Sequence, residues 1–240
     1  MTAIGTIESV WRYPVKSMRG EELTEASMGF GGIAGDRLFA FRSAANRETF
    51  PYFTGRDQPE MLRYRPVLRE DAPAAQTTVD VEAPGGTTHA IDDPALLEML
   101  RRGADEKHQL TLMRSDRALA DAYPVSLFSV QTAAKLGRET GNVWDKRRFR
   151  ANLFLDLPSF AGFVENELVG RSVRIGADVV VAIAAKDGRC VMITLDPDTA
   201  AKSPSLLKQV AQAHEGTAGV YGNVVVEGIV RKGDTVELLD

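Results

Sequence analysis

The feature that most constrains the fold of this 240-residue chain is a succession of short β-type segments separated by Gly- and Pro-containing turns. The first segment, residues 4–13, mixes β-branched and aromatic residues with polar ones and ends at Pro14. Four segments of the same character follow in the first half of the chain: 22–28, 37–42, 77–83 and 87–91. Such a pattern predicts a mostly β fold with tight turns rather than a helical bundle.

The second half of the chain continues this pattern after Asp145. The segments predicted as strands are 149–155, 172–175, 179–185, 191–195, 220–226 and 235–239. Strands at this spacing suggest a closed or nearly closed barrel, because closure removes unpaired strand edges. We place a boundary between two domains near residues 115–125 and expect a mobile loop at residues 71–76.

A few short helices interrupt the strands. Asp93 followed by Pro94 predicts a capped helix over residues 93–102, with Gly103 just beyond its end. A second helix is expected after Ser129, and a third is expected to begin with Ser203 as its capping residue. The overall prediction is therefore a mostly β protein with minor α content.

Composition and charge exclude several classes of protein. The 44% of hydrophobic residues and 26% of charged residues are typical of globular domains. The formal charge of −4 gives no field that would gather polyanions, so we expect no nucleic-acid partner. We also expect no membrane partner, because no run of about 18 apolar residues is present. The N-terminus resembles a strand rather than a secretory signal, which makes the cytoplasm the expected compartment.

Cysteine and histidine are too scarce for most metal sites. A single Cys permits neither an intrachain disulfide nor a multi-thiolate zinc or iron–sulfur site, and the three His have no metalloprotease spacing. The sequence also lacks a serine nucleophile elbow, a Walker loop and a Rossmann glycine fingerprint. Any metal must therefore arrive with ligands of its own.

Three basic clusters border predicted strands, and we expect them to converge on one cleft between the domains. They are residues 16–19, Arg37 and residues 146–150. Most Lys and Arg side chains simply face solvent. Arg150 and Asn152 differ, because strand alternation would place both on one face of an apolar strand. A buried Arg requires an anion, and its planar donor fork suits phosphate or carboxylate.

Cys190, the only cysteine, lies between Arg189 and an apolar stretch. A lone Cys is usually a small buried hydrophobe. Here the neighbouring Gly188 frees the backbone, and the Arg189 cation favours the thiolate, which is the form that binds soft metals.

Taken together, these motifs resemble those of one family. The motifs are Tyr13-Pro14-Val15-Lys16-Ser17, Gly35-Asp36-Arg37, Phe149-Arg150-Ala151-Asn152, Gly188-Arg189-Cys190, Thr194-Leu195-Asp196-Pro197-Asp198-Thr199 and Gly228-Ile229-Val230-Arg231-Lys232-Gly233-Asp234. Across nearly the whole chain the sequence resembles a MOSC-domain protein with an N-terminal MOSC β-barrel domain. It is similar to the mitochondrial amidoxime-reducing component and its bacterial relatives. The resemblance implies an N-terminal β-barrel-like domain over residues 1–118 and a MOSC β-barrel domain over residues 119–240.

The resemblance also implies a molybdenum cofactor, that is, molybdopterin carrying molybdenum. Cys190 would be the metal ligand and a catalytic residue, and Asp121 would be a second catalytic residue near the metal. The residues implied to bind the cofactor are Lys16, Ser17, Arg37, Arg150, Asn152 and Arg189.

The activity implied is reduction of N-hydroxylated or N-oxygenated compounds by oxygen-atom transfer at molybdenum. Electrons would come from a separate iron–sulfur or flavin protein, because one Cys cannot hold an iron–sulfur cluster. Two alternatives stay open, and the first of them uses the same residues. The chain could be a cofactor carrier or sulfur-delivery module without turnover, or a two-barrel scaffold that has lost the cofactor.

Overall fold

The computed structural model describes residues 2–69, 78–116 and 118–239, and it confirms the mostly β fold with short helices. The predicted mobile loop at residues 71–76 lies outside the described residues. The strands are β1 (Thr2–Arg12), β2 (Glu21–Leu23), β3 (Glu25–Gly29), β4 (Gly32–Ile33), β5 (Phe39–Arg42), β6 (Tyr52–Phe53), β7 (Arg65–Leu68), β8 (Val79–Glu82), β9 (Thr88–Ala90), β10 (Thr111–Arg114), β11 (Val125–Ser129), β12 (Leu153–Asp156), β13 (Ser172–Ile175), β14 (Val179–Gly188), β15 (Thr217–Val226), β16 (Gly228–Arg231) and β17 (Thr235–Leu239).

The α-helices of the described part of the chain are α1 (Pro94–Arg102), α2 (Val130–Thr140) and α3 (Pro204–Ala213). All three begin where the sequence predicts. The Asp93 carboxylate accepts a hydrogen bond from the Ala95 amide at 2.8 Å and so caps α1. Ser203 precedes α3 without the predicted capping hydrogen bond from its side chain, which corrects that prediction. No helix in the described ranges is long and apolar enough to cross a membrane.

Seven strands close into a barrel in the order β12-β11-β15-β14-β13-β17-β1, with β1 pairing back onto β12. All neighbours are antiparallel except β11 and β12. These two are parallel because α2 carries the chain across between them, as a parallel pair requires. Apolar side chains such as Leu127, Leu155 and Val181 fill the interior and are fully buried. The predicted closed barrel is therefore present.

Strands from each half of the chain complete sheets in the other half. β1, from the start of the chain, lies between β17 and β12 in the barrel, and β16, from near the end, pairs with β3. The sheets β10-β5-β6 and β7-β8-β9 surround a second apolar core that contains Phe41, Phe53 and Leu100. The division between residues 118 and 119 stays a prediction, and the observed pairing joins the two halves firmly.

Two predicted strands around the basic and cysteine motifs are wrong in part. Residues 191–195 were expected to be extended, but Val191–Thr194 form a 3₁₀-helix. The strand expected over 149–155 begins only at Leu153, after a 3₁₀-helix over Lys146–Phe149 and a left-handed Arg150. In both places tertiary hydrogen bonds override the β-propensity of the local sequence. Strand alternation is therefore not what brings Arg150 and Asn152 together.

A fully buried carboxylate, that of Glu165 in the 3₁₀-helix Val164–Leu168, lies against the start of α2. Its oxygens accept hydrogen bonds from the Ser129 hydroxyl at 2.8 Å, the Thr132 hydroxyl at 2.7 Å and the Ser129 amide at 3.2 Å. We call Glu165, Ser129 and Thr132 the Glu165 cluster. It satisfies the buried charge and fixes the junction between β11 and α2.

Candidate functional site

One pocket contains every residue that the sequence predicted for a cofactor site. These residues are Lys16, Ser17, Arg37, Asp121, Arg150, Asn152, Arg189 and Cys190. The pocket encloses about 780 Å³ of space, counting its open mouth, and is lined from both halves of the chain. We call it the cationic pocket. The predicted convergence of three distant basic clusters is observed, whereas the roles of the individual residues stay predictions.

Three residues of the pocket have a left-handed backbone. Ser17 has φ of 67°, Arg37 of 48° and Arg150 of 53°, and the described residues include only seven such non-glycine positions. Left-handed backbone is costly for residues with a side chain and persists where the surrounding structure enforces it. This concentration of strained residues supports the cationic pocket as a functional site.

Arg37 is held in place by the protein. Its guanidinium forms an ion pair with the buried Asp36, and its Nη2 donates to the Arg150 carbonyl at 3.1 Å. The same guanidinium lies 4.9 Å from the centre of the Tyr13 ring. Burial alone would lower the pKa of Arg37, but the Asp36 carboxylate raises it. Arg37 is therefore a fixed positive charge at the wall of the pocket.

The Arg150 side chain makes fewer polar contacts with the protein than the Arg37 side chain does. Its guanidinium stacks on the Tyr13 ring at 4.4 Å, but its Nη2 atom is buried and has no hydrogen-bond partner. Burial lowers the pKa of Arg150 to about 10, and the nearby Arg37 cation contributes to that shift. A buried guanidinium nitrogen without an acceptor is costly, so the site is built for an anion.

Lys16 and Asp121 form an ion pair at the mouth of the pocket. The Lys16 side chain is 6% exposed and its ammonium also donates to the Leu119 carbonyl at 2.7 Å, whereas the Asp121 side chain is 52% exposed. Burial lowers the pKa of Lys16 despite the neighbouring carboxylate. The surrounding protein would raise the pKa of Asp121, but the Lys16 cation lowers it below the usual value. Asp121 is therefore ionised at neutral pH.

Asn152 and Arg189 line the pocket and use most of their polar atoms within the protein, although the buried Arg189 Nη2 atom, which pairs with Asp187, has no hydrogen-bond partner. The Asn152 Oδ1 atom accepts hydrogen bonds from the Ser126 amide and hydroxyl, both at 3.2 Å. The Arg189 guanidinium donates to the Phe149 carbonyl at 2.8 Å and the Ala218 carbonyl at 2.6 Å. These contacts position the pocket wall, and they leave Arg150 better placed than Asn152 for direct contact with a ligand, because the Arg150 Nη2 atom has no hydrogen-bond partner.

Cys190 lies at the turn between β14 and the 3₁₀-helix that begins at Val191, and it is partly exposed to the pocket. The turn is anchored by the buried Arg148. The Arg148 guanidinium donates to the Thr194 carbonyl and pairs with Asp196, both at 2.9 Å. Asp196 therefore helps to hold the segment that follows Cys190 against the basic segment 146–150.

The sequence did not point to several other residues of the pocket, namely Phe50, Arg56, Tyr123, Asp187 and Tyr221. Among them Asp187 is a buried acid that forms an ion pair with Arg189 at 2.8 Å. Its position three residues before Cys190 was the one feature of the sequence that could have indicated a place in the pocket. No feature of the sequence indicates Tyr221, because only the pairing of β14 with β15 brings it close to the pocket.

The arrangement suits a ligand that carries its own metal ligands and a phosphate. Lys16, Arg37 and Arg150 supply positive charge, and the unpartnered Arg150 Nη2 supplies a donor for a phosphate or pterin oxygen. Cys190 supplies one soft sulfur ligand on the same pocket. These residues therefore fit molybdopterin carrying molybdenum.

Comparison with known proteins identifies the family of both halves of the chain. The MOSC domain family matches residues 114–237, and the MOSC N-terminal beta barrel domain family matches residues 4–123. The structure resembles that of the YUAD protein from Bacillus subtilis, with a TM-score of 0.52 and 14% identity over 98% of this chain and 94% of that one. YiiM from Geobacillus stearothermophilus matches 49% of this chain and 55% of its own, at 18% identity and a TM-score of 0.39. None of the curated proteins compared with the chain matches it.

Proposed function

The chain belongs to the MOSC domain family, and on that basis we propose that its cationic pocket binds the molybdenum cofactor and reduces N-hydroxylated or N-oxygenated compounds. The unpartnered Nη2 atom of Arg150 is the observation that carries this proposal. A buried donor without an acceptor costs free energy, and an anionic oxygen of a bound cofactor would satisfy it.

The residues divide into those that would touch the cofactor and those that hold them. Lys16, Ser17, Arg37 and Arg150 would bind the phosphate and pterin, and the Cys190 thiolate would bind the metal. When bound, the cofactor supplies a redox metal that exchanges an oxygen atom with the substrate, together with two sulfur ligands from its pterin. Tyr13 supports the two guanidinium groups, since both stack on its ring.

The remaining residues would position the substrate side of the pocket. Asp121 keeps its negative charge because it is paired with Lys16, and it would orient a cationic or amine-like substrate group at the mouth. Stacked Phe128 and Phe149, with ring centres 4.0 Å apart, pack against the Arg189 guanidinium and would keep that side of the pocket dry. A drier site strengthens each charge interaction in it.

The experiment is a measurement of molybdenum and pterin in protein purified from a host that makes the cofactor. We expect both to copurify with the chain, and we expect reduction of an amidoxime or hydroxylamine with a viologen donor. Protein from a host deficient in cofactor synthesis is the control. Bound cofactor without turnover of any N-oxygenated compound would instead support a carrier or sulfur-delivery protein, and absence of both metal and pterin would refute the proposal.

The proposal includes a separate iron–sulfur or flavin protein as electron donor. The sequence lacks a Rossmann fingerprint for a nicotinamide nucleotide and has one Cys. The isolated chain should therefore show no reductase activity with a nicotinamide nucleotide alone and should become active when a donor protein or a viologen is added. Rapid nucleotide-dependent turnover by the isolated chain would contradict this requirement.

A further inference from the structure

A second cavity, shallow and open, adjoins the cationic pocket and takes no part in the proposed function. Its lining comes from residues 45–57, around β6, and it encloses about 560 Å³ of space, counting its open side. We call it the outer groove. Phe50, Thr54 and Arg56 line both the outer groove and the cationic pocket, so the two cavities meet at these residues. A molecule bound in the pocket would enter the groove by passing them.

Hydrogen bonds within this segment fix the shape of the outer groove. The Asn46 side-chain amide donates to the Tyr52 carbonyl at 2.7 Å. The Asp57 carboxylate accepts from the Thr54 amide at 2.8 Å and from the Thr54 hydroxyl at 3.2 Å. Asp57 is the one acid among the described residues that line the groove, and these bonds within its own turn occupy it.

Two exposed arginines of the outer groove, Arg47 and Arg56, have no carboxylate partner in the part of the chain that the structure describes. Neither guanidinium forms a hydrogen bond or an ion pair with a described residue. Other exposed arginines find such partners, for example Arg63 with Glu60 and Arg69 with Asp80. Arg47 and Arg56 therefore keep their donors available to a ligand, and both lie on the same cavity.

Aromatic contacts orient the Arg56 guanidinium at the junction of the two cavities. It lies over the Phe50 ring, 5.0 Å from the ring centre. The Phe50 ring packs at 88° against the Tyr52 ring, with centres 5.2 Å apart, and the Lys16 ammonium lies over both rings. A guanidinium held over a ring keeps the N–H groups on its edge for a carboxylate or phosphate.

The charges of the lining indicate which anion fits the outer groove. The two cations Arg47 and Arg56 and the one anion Asp57 leave a single positive charge. One carboxylate would neutralise it, whereas a doubly charged phosphate would exceed it. Asp121, an acid of the neighbouring pocket, does not replace such a ligand, because it forms its ion pair with Lys16. The groove therefore suits a carboxylate on an apolar skeleton.

We propose that the outer groove binds a carboxylate of the substrate through Arg47 and Arg56, an inference that rests on the proposed function. The substrate class would be N-oxygenated compounds that carry a carboxylate at the end remote from the N–O group. The N–O group would lie in the cationic pocket, the skeleton would pass Phe50, and the carboxylate would accept hydrogen bonds from the two arginines. Neither arginine would touch the reacting atoms, so both determine specificity rather than catalysis.

The first test measures turnover of 4-carboxybenzamidoxime, of homologues with a longer chain before the carboxylate, and of the methyl ester of each, with a viologen as donor. At least one acid should have a KM about 10-fold below that of its ester, because the ester cannot accept charged hydrogen bonds. Arg47→Gln and Arg56→Gln should each reduce this preference through KM rather than kcat. Arg138→Gln is the matched control, since Arg138 is exposed on α2 and lines neither cavity, and it should keep the preference.

Equal KM values for acids and esters in the wild type, or an acid preference that survives both substitutions, would overturn the subsite. Slower turnover of the variants with a protein donor alone, at unchanged KM for the acids, would also overturn it and would assign the arginines to docking of the donor. A wild type that reduces no N-oxygenated compound would remove the proposed function and the substrate class with it. An active wild type without a preference for acids would remove only the subsite.

A second test does not depend on turnover. NMR of the arginine Nε–H groups of cofactor-free protein, at mildly acidic pH, follows addition of the same acids and esters, and the three Gln variants assign the signals. The signals of Arg47 and Arg56 should shift with at least one acid and not with its ester, while that of Arg138 should stay in place. Signals of Arg47 and Arg56 that do not move, or that move equally with acid and ester, would overturn the subsite.

Discussion

The Glu165 cluster and the cationic pocket both bury charged side chains, at opposite ends of β11, but they satisfy them differently. In the Glu165 cluster, three donors from Ser129 and Thr132 reach one carboxylate within 3.2 Å. In the cationic pocket, the Nη2 atom of Arg150 has no acceptor. Because burying an unpaired polar group costs free energy, the first region stabilises the fold and the second retains a cost that a ligand can offset.

The largest loss of stability predicted by this comparison follows from substitution of Glu165. Glu165→Ala should lower the free energy of unfolding by about 4 kcal/mol, since a buried cavity forms and the Ser129 and Thr132 donors lose their acceptor. Glu165→Gln, which retains one acceptor oxygen, should cost about half as much. Urea unfolding measures both. A loss under about 1 kcal/mol for Glu165→Ala would show that the cluster is not a structural element.

At Arg150 we expect loss of ligand binding without loss of stability. Arg150→Met should weaken cofactor retention about 100-fold, equivalent to about 2.7 kcal/mol, while the free energy of unfolding of the cofactor-free protein stays equal or rises. The matched control is Arg148→Met. That variant should be destabilised, because it removes the partner of Asp196 and the donor to the Thr194 carbonyl. Equal destabilisation by both variants would contradict the interpretation that Arg150 serves ligand binding rather than stability.

Cys190→Ser should affect chemistry far more than stability. The substitution replaces a soft ligand with a hard one at nearly constant volume, so the free energy of unfolding should change by about 1 kcal/mol or less. Turnover of N-oxygenated substrate should be lost or bound molybdenum should fall. Full activity of the Ser variant would show that the thiol is only a packing group.

The smallest effect concerns pH and the ion pair at the pocket mouth. The lowered pKa of Asp121 means that its stabilising contribution is complete above the ordinary aspartate range and is lost as pH falls through the folded-state value. Because Asp121 is half exposed, the contribution should be about 0.5 kcal/mol. Asp121→Asn should lose that amount at pH 7 and show a shallower acid dependence in urea unfolding. An unchanged acid dependence would contradict the assignment.

Local patterns predicted those parts of the molecule that local interactions determine. The cap of α1 at Asp93 and the first strand depend on neighbouring residues, and both form where the sequence indicates. Family motifs also identified eight residues that meet in one pocket. The 3₁₀-helix after Cys190 was missed, because its geometry depends on Arg148, more than forty residues earlier in the chain.

Two other features lay beyond the sequence for the same reason. The left-handed backbone of Arg150 lies in a segment that reads as a strand, and tertiary contacts with Arg37 and Tyr13 accompany it. The presence of Tyr221 in the same pocket as Asp187 depends on the pairing of β14 with β15. Periodicity carries no information on either feature, since each joins residues that are distant in the chain.

The central claim, that the cationic pocket holds molybdenum through Cys190, is tested most directly by X-ray absorption at the molybdenum edge. Wild-type protein from a cofactor-competent host should contain molybdenum with one more sulfur ligand than the Cys190→Ser variant, the additional sulfur being the Cys190 thiolate. The Arg150→Met variant should retain little metal. Wild-type protein without molybdenum, or with the same number of sulfur ligands as Cys190→Ser, would contradict the account.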